Sequence, residues 1–291
     1  MIDATILMLT LMWGIAIGCI YVLLATGLNL IFGVMKLVNF AHGELLMVGA
    51  YVSYSVCTAF GVDAYTAVFV SMGVVALVGL IVERLAFRRV LGADKLNEIF
   101  VSLGLILIID NIAVLVWGDK SKRIISPFEN MSLPLGEASI RYDRLIALAF
   151  VVVILVGLLF LIKKTKIGMA MRATSQKSQA SMLMGINIEH IYIFTFMLGA
   201  ALAGAAGSLY GILNPFNPYI GALPTIKAFA IIIIGGLGSI PGAIIGGLLY
   251  GIAEQSAVAV FGSNWRNAVA FSLLIIVLIL RPKGLFGEKG D

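Results

Sequence analysis

Long apolar runs alternate with short polar breaks along the whole chain, and the breaks define the elements. Apolar segments occupy 10–31, 40–60, 65–82, 99–116, 145–162 and 191–210. Each is close to the ~20 residues that a helix needs to cross a bilayer core. None alternates residue by residue as a strand of a membrane barrel does. A short turn at 35–40, with Lys36 at its edge, joins the first two segments. Asn214-Pro215-Phe216-Asn217-Pro218 breaks the chain after the sixth, and shorter apolar stretches follow at 223–240, 242–260 and 265–280. Either all three cross, or 223–240 dips into the membrane and returns. The pattern predicts an all-α polytopic membrane protein of eight to ten spans, with about nine as the best count.

Small residues repeat on one side of two segments. They are Ala200, Ala203, Gly204, Gly207 and Gly211 in the first, and Gly242, Gly246, Gly247 and Gly251 in the second. Such faces let helices approach closely where lipid supplies no hydrophobic drive between them. Composition agrees with the class. Hydrophobic residues make up 61% and charged residues 12% of the chain, against roughly 45–50% and ~25% in soluble domains.

The net charge of +5 matters less than where the charges lie. Lys36, four residues of 84–95 (Arg84, Arg88, Arg89, Lys95), five of 163–177 (Lys163, Lys164, Lys166, Arg172, Lys177) and Arg281, Lys283 and Lys289 make thirteen of the twenty basic residues. With nine spans, all thirteen fall on one side, as the positive-inside rule requires. The N-terminus is then outside and the C-terminus cytoplasmic. The 118–143 segment becomes an extracytoplasmic loop of mixed charge with Pro127 and Pro134, and 163–189 becomes a cytoplasmic region long enough for a short helix outside the bilayer. No basic surface domain exists, so nucleic-acid binding is excluded as a function class. The first apolar segment has no Lys or Arg before Lys36 and no small-residue cleavage site, so it is expected to stay as a span. Cys19 and Cys57 read as buried thiols.

Polar groups inside the apolar segments are the candidate functional residues, because a polar side chain in lipid must find a partner or line a path. Asn29 lies in the first segment and suits either role. Asn39, His42 and Glu44 sit at the start of the second. His42 and Glu44 are two apart and do not share a helix face, so they suit a polar network or gate better than a metal site. Asp110 and Asn111 lie in the fourth segment and Glu254 in the last third, where structural pairing or a place on the path are both open. Gly235-Gly236-Leu237-Gly238-Ser239 before Pro241 breaks a helix, and broken helices expose backbone groups at functional depth. There is no glycine-rich loop ending in Gly-Lys-Ser/Thr and no paired catalytic groups. The chain is therefore expected to be no enzyme and to bind no cofactor or metal of its own.

Three stretches together carry a family resemblance. The first is Gly27-Leu28-Asn29-Leu30-Ile31-Phe32-Gly33 running into Asn39-Phe40-Ala41-His42-Gly43-Glu44. The second is 163–185, with Gly168, Arg172 and Ala173, and the third is Gly235 to Gly242. The chain resembles the permease subunits of ABC importers for branched-chain amino acids, from about residue 15 to 287. The resemblance implies one transmembrane permease domain over 1–291, the importer fold with an internal inverted repeat, and a bacterial inner-membrane location. It also implies a helix in 163–185 that docks on an ATPase subunit. ABC permeases often carry Glu-Ala-Ala, three residues and Gly there. Gln179-Ala180-Ser181 with Gly185 keeps that spacing but replaces the acid and the second alanine. Arg172, Gln179, Ala180, Ser181 and Gly185 are the coupling residues so implied, and Asn29, Asn39, His42, Glu44, Gly236 and Glu254 the path or gate residues. The implied partners are two ATPase subunits that bind ATP and Mg, a second related permease, a substrate-binding protein and lipid. The implied substrates are leucine, isoleucine and valine, with other neutral amino acids, urea or short amides as close competitors. An ion-coupled secondary transporter is the contrasting class.

Overall fold

The computed structural model describes residues 4–135, 138–280 and 284–286 of the 291. Arg281, Lys283 and Lys289, on which the expected side of the C-terminus partly rests, lie outside the described residues. The helices are α1 (Ala4–Met35), α2 (His42–Phe60), α3 (Ala64–Leu85), α4 (Lys95–Trp117), α5 (Tyr142–Lys164), α6 (Lys166–Gln176), α7 (Ser178–Leu183), α8 (Ile188–Leu213), α9 (Ala222–Gly235), α10 (Ile240–Phe261) and α11 (Arg266–Leu280). Among the described residues, seven are long and apolar enough to cross a membrane: α1 to α5, α8 and α10. That is fewer than the nine expected, and the shortfall lies in the last third. There α9 has 14 residues and α11 has 15, each spanning only about 21–23 Å at ~1.5 Å per residue.

Local chemistry sets the helix ends. Asp63 caps α3 by accepting from the Tyr65 and Thr66 amides at 2.9 and 3.3 Å. Thr165 caps α6 through the Gly168 amide at 3.1 Å, and Ser239 caps α10 through that of Gly242 at 3.2 Å. Each side-chain oxygen satisfies an amide that has no intrahelical acceptor. The 118–143 segment folds into a hairpin that the hydrophobic pattern did not predict, β1 (Ser132–Leu135) antiparallel to β2 (Ala138–Arg141); Glu137 of its turn lies outside the described residues. Its base is fixed by buried Asp143, which accepts from Ser126 at 2.6 Å and Tyr65 at 3.0 Å and pairs with Arg141.

The same order of elements occurs twice. A long helix (α1 or α8) leads to a non-helical segment (36–41 or 214–221) and then to a helix that starts inside the bundle (α2 or α9). A long helix (α3 or α10), a single 3₁₀ turn and a last helix (α4 or α11) follow. Packing repeats too: α1 lies on α10 as α8 lies on α3, and α1 and α8 cross each other. Since successive spans reverse direction, the second set runs opposite to the first. The inner starts of α2 and α9 meet. The Gly43 amide donates to Thr225 Oγ1 at 2.9 Å, and a Cβ on Gly27 would come within 3.1 Å of His42 Nε2. Gly27 lies about two turns before the end of α1, so α2 begins well inside the bundle.

The small-residue faces are the contact faces. A Cβ on Gly49 of α2 would lie 2.6 Å from the Gly204 Cα of α8. Of the α10 glycines, Gly247 and Gly251 face α1 at Val22 and Gly18, whereas Gly242 and Gly246 face α9 at Gly235 and Ile231. By contrast, α4 exposes most of its length, including Leu107, Ile108, Leu115 and Val116.

Candidate functional site

The expected residues fall in four places, and the structure links some of them. At one end of the bundle, α6 and α7 form a compact angle after α5. Gly168 packs so closely on the Leu161 and Ile162 carbonyls that no side chain fits there, and Arg172 donates to the Ile162 carbonyl. Ser181 is buried, and its hydroxyl donates to the Lys177 carbonyl at 3.1 Å. Arg172 therefore ties α6 to the end of α5 and Ser181 bonds within the first turn of α7, whereas Gln179 and Ala180 point outward. Gly185 has φ 82°, a left-handed turn that favours glycine. Before it, Met182, Leu183 and Met184 are exposed, Leu183 at 89%. Between α6 and α7 runs a groove of about 680 Å³ with Met169, Ala173, Ala180 and Ile186 in its walls and Lys166 and Lys177 at its rim. The exposed apolar tip was not among the expected site residues; its signal was an apolar triplet inside a polar loop.

Asn29 and the glycine break, 210 residues apart, are brought together. Asn29 Nδ2 donates to the Ser239 carbonyl at 2.8 Å, and the Gly238 amide donates to Asn29 Oδ1 at 2.7 Å. One side-chain amide thus takes up the Gly238 amide that the broken helix leaves free and shares the Ser239 carbonyl with the Ala243 amide. Gly236 has φ 105° and Gly238 φ 85°, so the backbone between α9 and α10 adopts a path that only glycine follows without strain.

At the start of α2 the polar groups are less complete. Asn39 Oδ1 accepts from the Ala41 amide at 2.9 Å, but its Nδ2 has no partner. His42 is 0% exposed and neither ring nitrogen forms a well-aligned hydrogen bond, the Leu24 carbonyl being the partner nearby. Glu44 packs against the Gly221 backbone, and its carboxyl faces that of Asp110 on α4. With both acids ionised, Glu44 Oε2 and Asp110 Oδ1 have no donor.

Glu254 lies apart from these and is paired. Lys227 Nζ reaches both its carboxylate oxygens, at 2.9 and 3.0 Å, and donates to the Tyr21 hydroxyl at 2.9 Å. Arg266 Nε stands 3.6 Å from Glu254 Oε1. Lys227, Tyr21 and Arg266 were not expected as site residues. Lys227 carried a signal, as a lone cation in an apolar stretch; Tyr21 carried none. No group of three or more His, Cys, Asp or Glu side chains that could hold a metal occurs among the described residues.

Comparison with known proteins places this architecture. The family model described as "Branched-chain amino acid transport system / permease component" matches residues 10–280. The high-affinity branched-chain amino acid transport system permease protein BraD of Pseudomonas aeruginosa is 35% identical over 289 residues, covering 94% of each chain. The corresponding permease protein LivH of Escherichia coli is 34% identical over 293 residues, again with 94% of each chain covered. Among solved structures, PsaBC from Streptococcus pneumoniae, in complex with Fab, superposes with a TM-score of 0.51 at 11% identity, covering 93% of this chain and 91% of that one. That likeness concerns the fold alone. The match covers 94% of each chain, and by that measure this chain belongs to the family of permease components of branched-chain amino acid transport systems.

Proposed function

We propose that the chain is the membrane-spanning subunit of an ATP-driven importer that carries leucine, isoleucine and valine across the bacterial inner membrane by alternating access. Family membership over 10–280 is the observation that carries this reading. The subunit itself is no enzyme. ATP and Mg act on two partner ATPase subunits, and a second related permease and a substrate-binding protein complete the importer.

Within that reading the chain makes nine crossings, with α9 and α11 added to the seven longer helices. The N-terminus is outside, the hairpin of 118–143 faces the substrate-binding protein, and 163–189 faces the cytoplasm. The α6–α7 angle is the element an ATPase subunit grips. Its frame is Gly168, Arg172 and Ser181, its contact surface Gln179, Ala180 and the Met182–Met184 tip, and Gly185 turns the chain back to α8. An element welded to α5 transmits a push without absorbing it, and the exposed apolar tip supplies area for a partner to bury. The path or gate is assigned to the α2 start (Asn39, His42, Glu44) and to the Asn29–Gly236 junction, where α9 breaks. Glu254 belongs to the same wall through Lys227.

The test is reconstitution with the ATPases, the second permease and the binding protein. ATP-dependent uptake is then measured across leucine, isoleucine, valine, other neutral amino acids, urea and short amides. Leucine, isoleucine and valine are expected to lead the panel. Uptake that follows an ion gradient and continues without the ATPase subunits sinks the reading.

A further inference from the structure

The charges around Glu254 do not balance. Lys227 and Arg266 share this one carboxylate, and neither has another acidic partner among the described residues. The Lys227 side chain is 7% exposed and fully engaged, with two carboxylate oxygens, the Tyr21 hydroxyl and the Tyr21 ring 5.0 Å from its ammonium. Glu254, 1% exposed, has its oxygens taken up by Lys227 and Tyr21. The surplus positive charge therefore falls on Arg266. Its side chain is 44% exposed, its nearest approach to Glu254 is 3.6 Å, and its N–H groups donate no hydrogen bond among the described residues.

Arg266 is also placed where a cation is disfavoured and an anion welcome. It opens α11 directly after the 3₁₀ turn Ser263–Trp265, and the first turn of α11 carries no acid. The start of a helix presents free amides and the positive end of its dipole. Exposed Phe261 and Trp265 flank the site. A guanidinium offers paired donors that match the two oxygens of a carboxylate. Glu254 is a poor acceptor for that fork, since Lys227 already occupies it.

We propose that Arg266, held in place by the Glu254–Lys227 pair behind it, is a recognition site for the carboxylate of the amino acid in transit. This rests on the importer reading above and names one contact within it. A carboxylate at Arg266 gives each of the two cations an acceptor of its own. It also draws Arg266 off Glu254, which sits on α10, while Lys227 sits on α9 across the glycine break. Occupancy is thereby sensed by the two arms of the broken helix. A lipid phosphate presents the same oxyanion chemistry at the same edge, and the test separates the two.

The measurement is the rate of ATP-driven leucine uptake by the complete importer with leucine-saturated binding protein. It is made in phospholipid vesicles and in galactolipid vesicles that contain no phosphate. Co-purification of the partner subunits reports assembly. A charge-assisted hydrogen bond is worth about 1.5–3 kcal/mol, so Arg266→Gln is expected to slow uptake about 10- to 100-fold in both lipids. Arg266→Lys, which keeps the charge and loses the fork, is expected to fall between. An Arg266→Gln rate within about twofold of the parent overturns the site. So does a loss confined to phospholipid vesicles, because the lipid is then the ligand. Should Arg266→Gln fail to assemble, a full rate in Arg266→Lys overturns the site too, since a bare charge then suffices. A parent importer that moves other solutes but no leucine defeats the importer reading and this contact together; a leucine-carrying parent with an indifferent variant defeats the contact alone.

Discussion

Two buried polar clusters sit in the same bundle and are finished to different degrees. Around Glu254, Lys227 and Tyr21 meet every demand of the carboxylate. At the start of α2, Asn39 Nδ2 lacks a partner, the His42 ring has only the Leu24 carbonyl nearby, and the facing Glu44 and Asp110 carboxyls have only each other. A buried polar group without a partner costs roughly 1–3 kcal/mol, so the second cluster raises the free energy of the conformation described here. A transporter must leave each of its conformations, and polar groups that gain partners in another arrangement favour the exchange. The finished cluster is a tie between α1, α9 and α10; the unfinished one is where packing is free to change.

The contrast breaks most sharply at Lys227. Lys227→Met leaves buried Glu254 with only the Tyr21 hydroxyl and the half-exposed Arg266 at 3.6 Å, and removing one member of a buried pair costs about 3–5 kcal/mol. A large fall in the thermal midpoint of the purified protein is expected, with most of it recovered when Glu254→Gln is added. A Lys227→Met protein as stable as the parent contradicts the tie.

Next in size is Asn29, whose amide completes the backbone at Gly238 and Ser239. Asn29→Leu has similar volume and removes two hydrogen bonds, one to the Gly238 amide and one to the Ser239 carbonyl, which keeps the Ala243 amide. A loss of about 1–2 kcal/mol is expected from two hydrogen bonds, read from chemical or thermal denaturation. An unchanged midpoint shows that water or a shifted backbone takes over, and the junction is then not held by this side chain.

A smaller effect of opposite sign is expected at His42. Its ring has no well-formed hydrogen bond in this conformation, only the Leu24 carbonyl nearby, so His42→Leu removes a desolvated polar group and stabilises the described state by about 1 kcal/mol. Transport falls at the same time, because the alternative state loses the partner it offers the ring. A variant that is destabilised and still transports places His42 with the structural ties and erases the difference between the clusters.

The degree to which these clusters could be read in the sequence follows from how far apart their members lie. Asn29, His42, Glu44 and Glu254 were visible singly, since each interrupts an apolar run. That Asn29 reaches Ser239, or Lys227 reaches Glu254, was not, because the 3.6-residue periodicity carries no information about which distant helix is met. The long helices were legible from length and hydropathy. The two inner starts were not: 36–41 read as a turn at the membrane edge and 214–218 as an outer-side break, and nothing in either showed that Leu37, Asn39, Ala41, Phe216, Pro218 and Gly221 are buried. The cue was weak, a Gly43 or a Gly221 too small to show that another backbone lies against it. The hairpin base was missed for a similar reason, as Asp143 looked like a loop acid until Tyr65 and Ser126 closed over it.

The smallest expected effect on stability lies outside both clusters and tests whether the coupling face is separable from them. Leu183 and Met184 are 89% and 83% exposed and touch little of their own chain, so Leu183→Ser with Met184→Ser should shift stability by no more than about 0.5 kcal/mol. The same two side chains are the apolar area that an ATPase subunit would cover, and burying such area is worth about 25 cal/mol per Å². Loss of uptake with an unchanged thermal midpoint is the expected pair of results in the reconstituted importer. Arg172→Ala is the control with the reverse logic. It releases the Ile162 carbonyl and loosens the angle, so it should lower the thermal midpoint as well as uptake. Full uptake in the Leu183/Met184 double variant moves the grip elsewhere on α6 and α7, toward the groove beside Ala173 and Ala180.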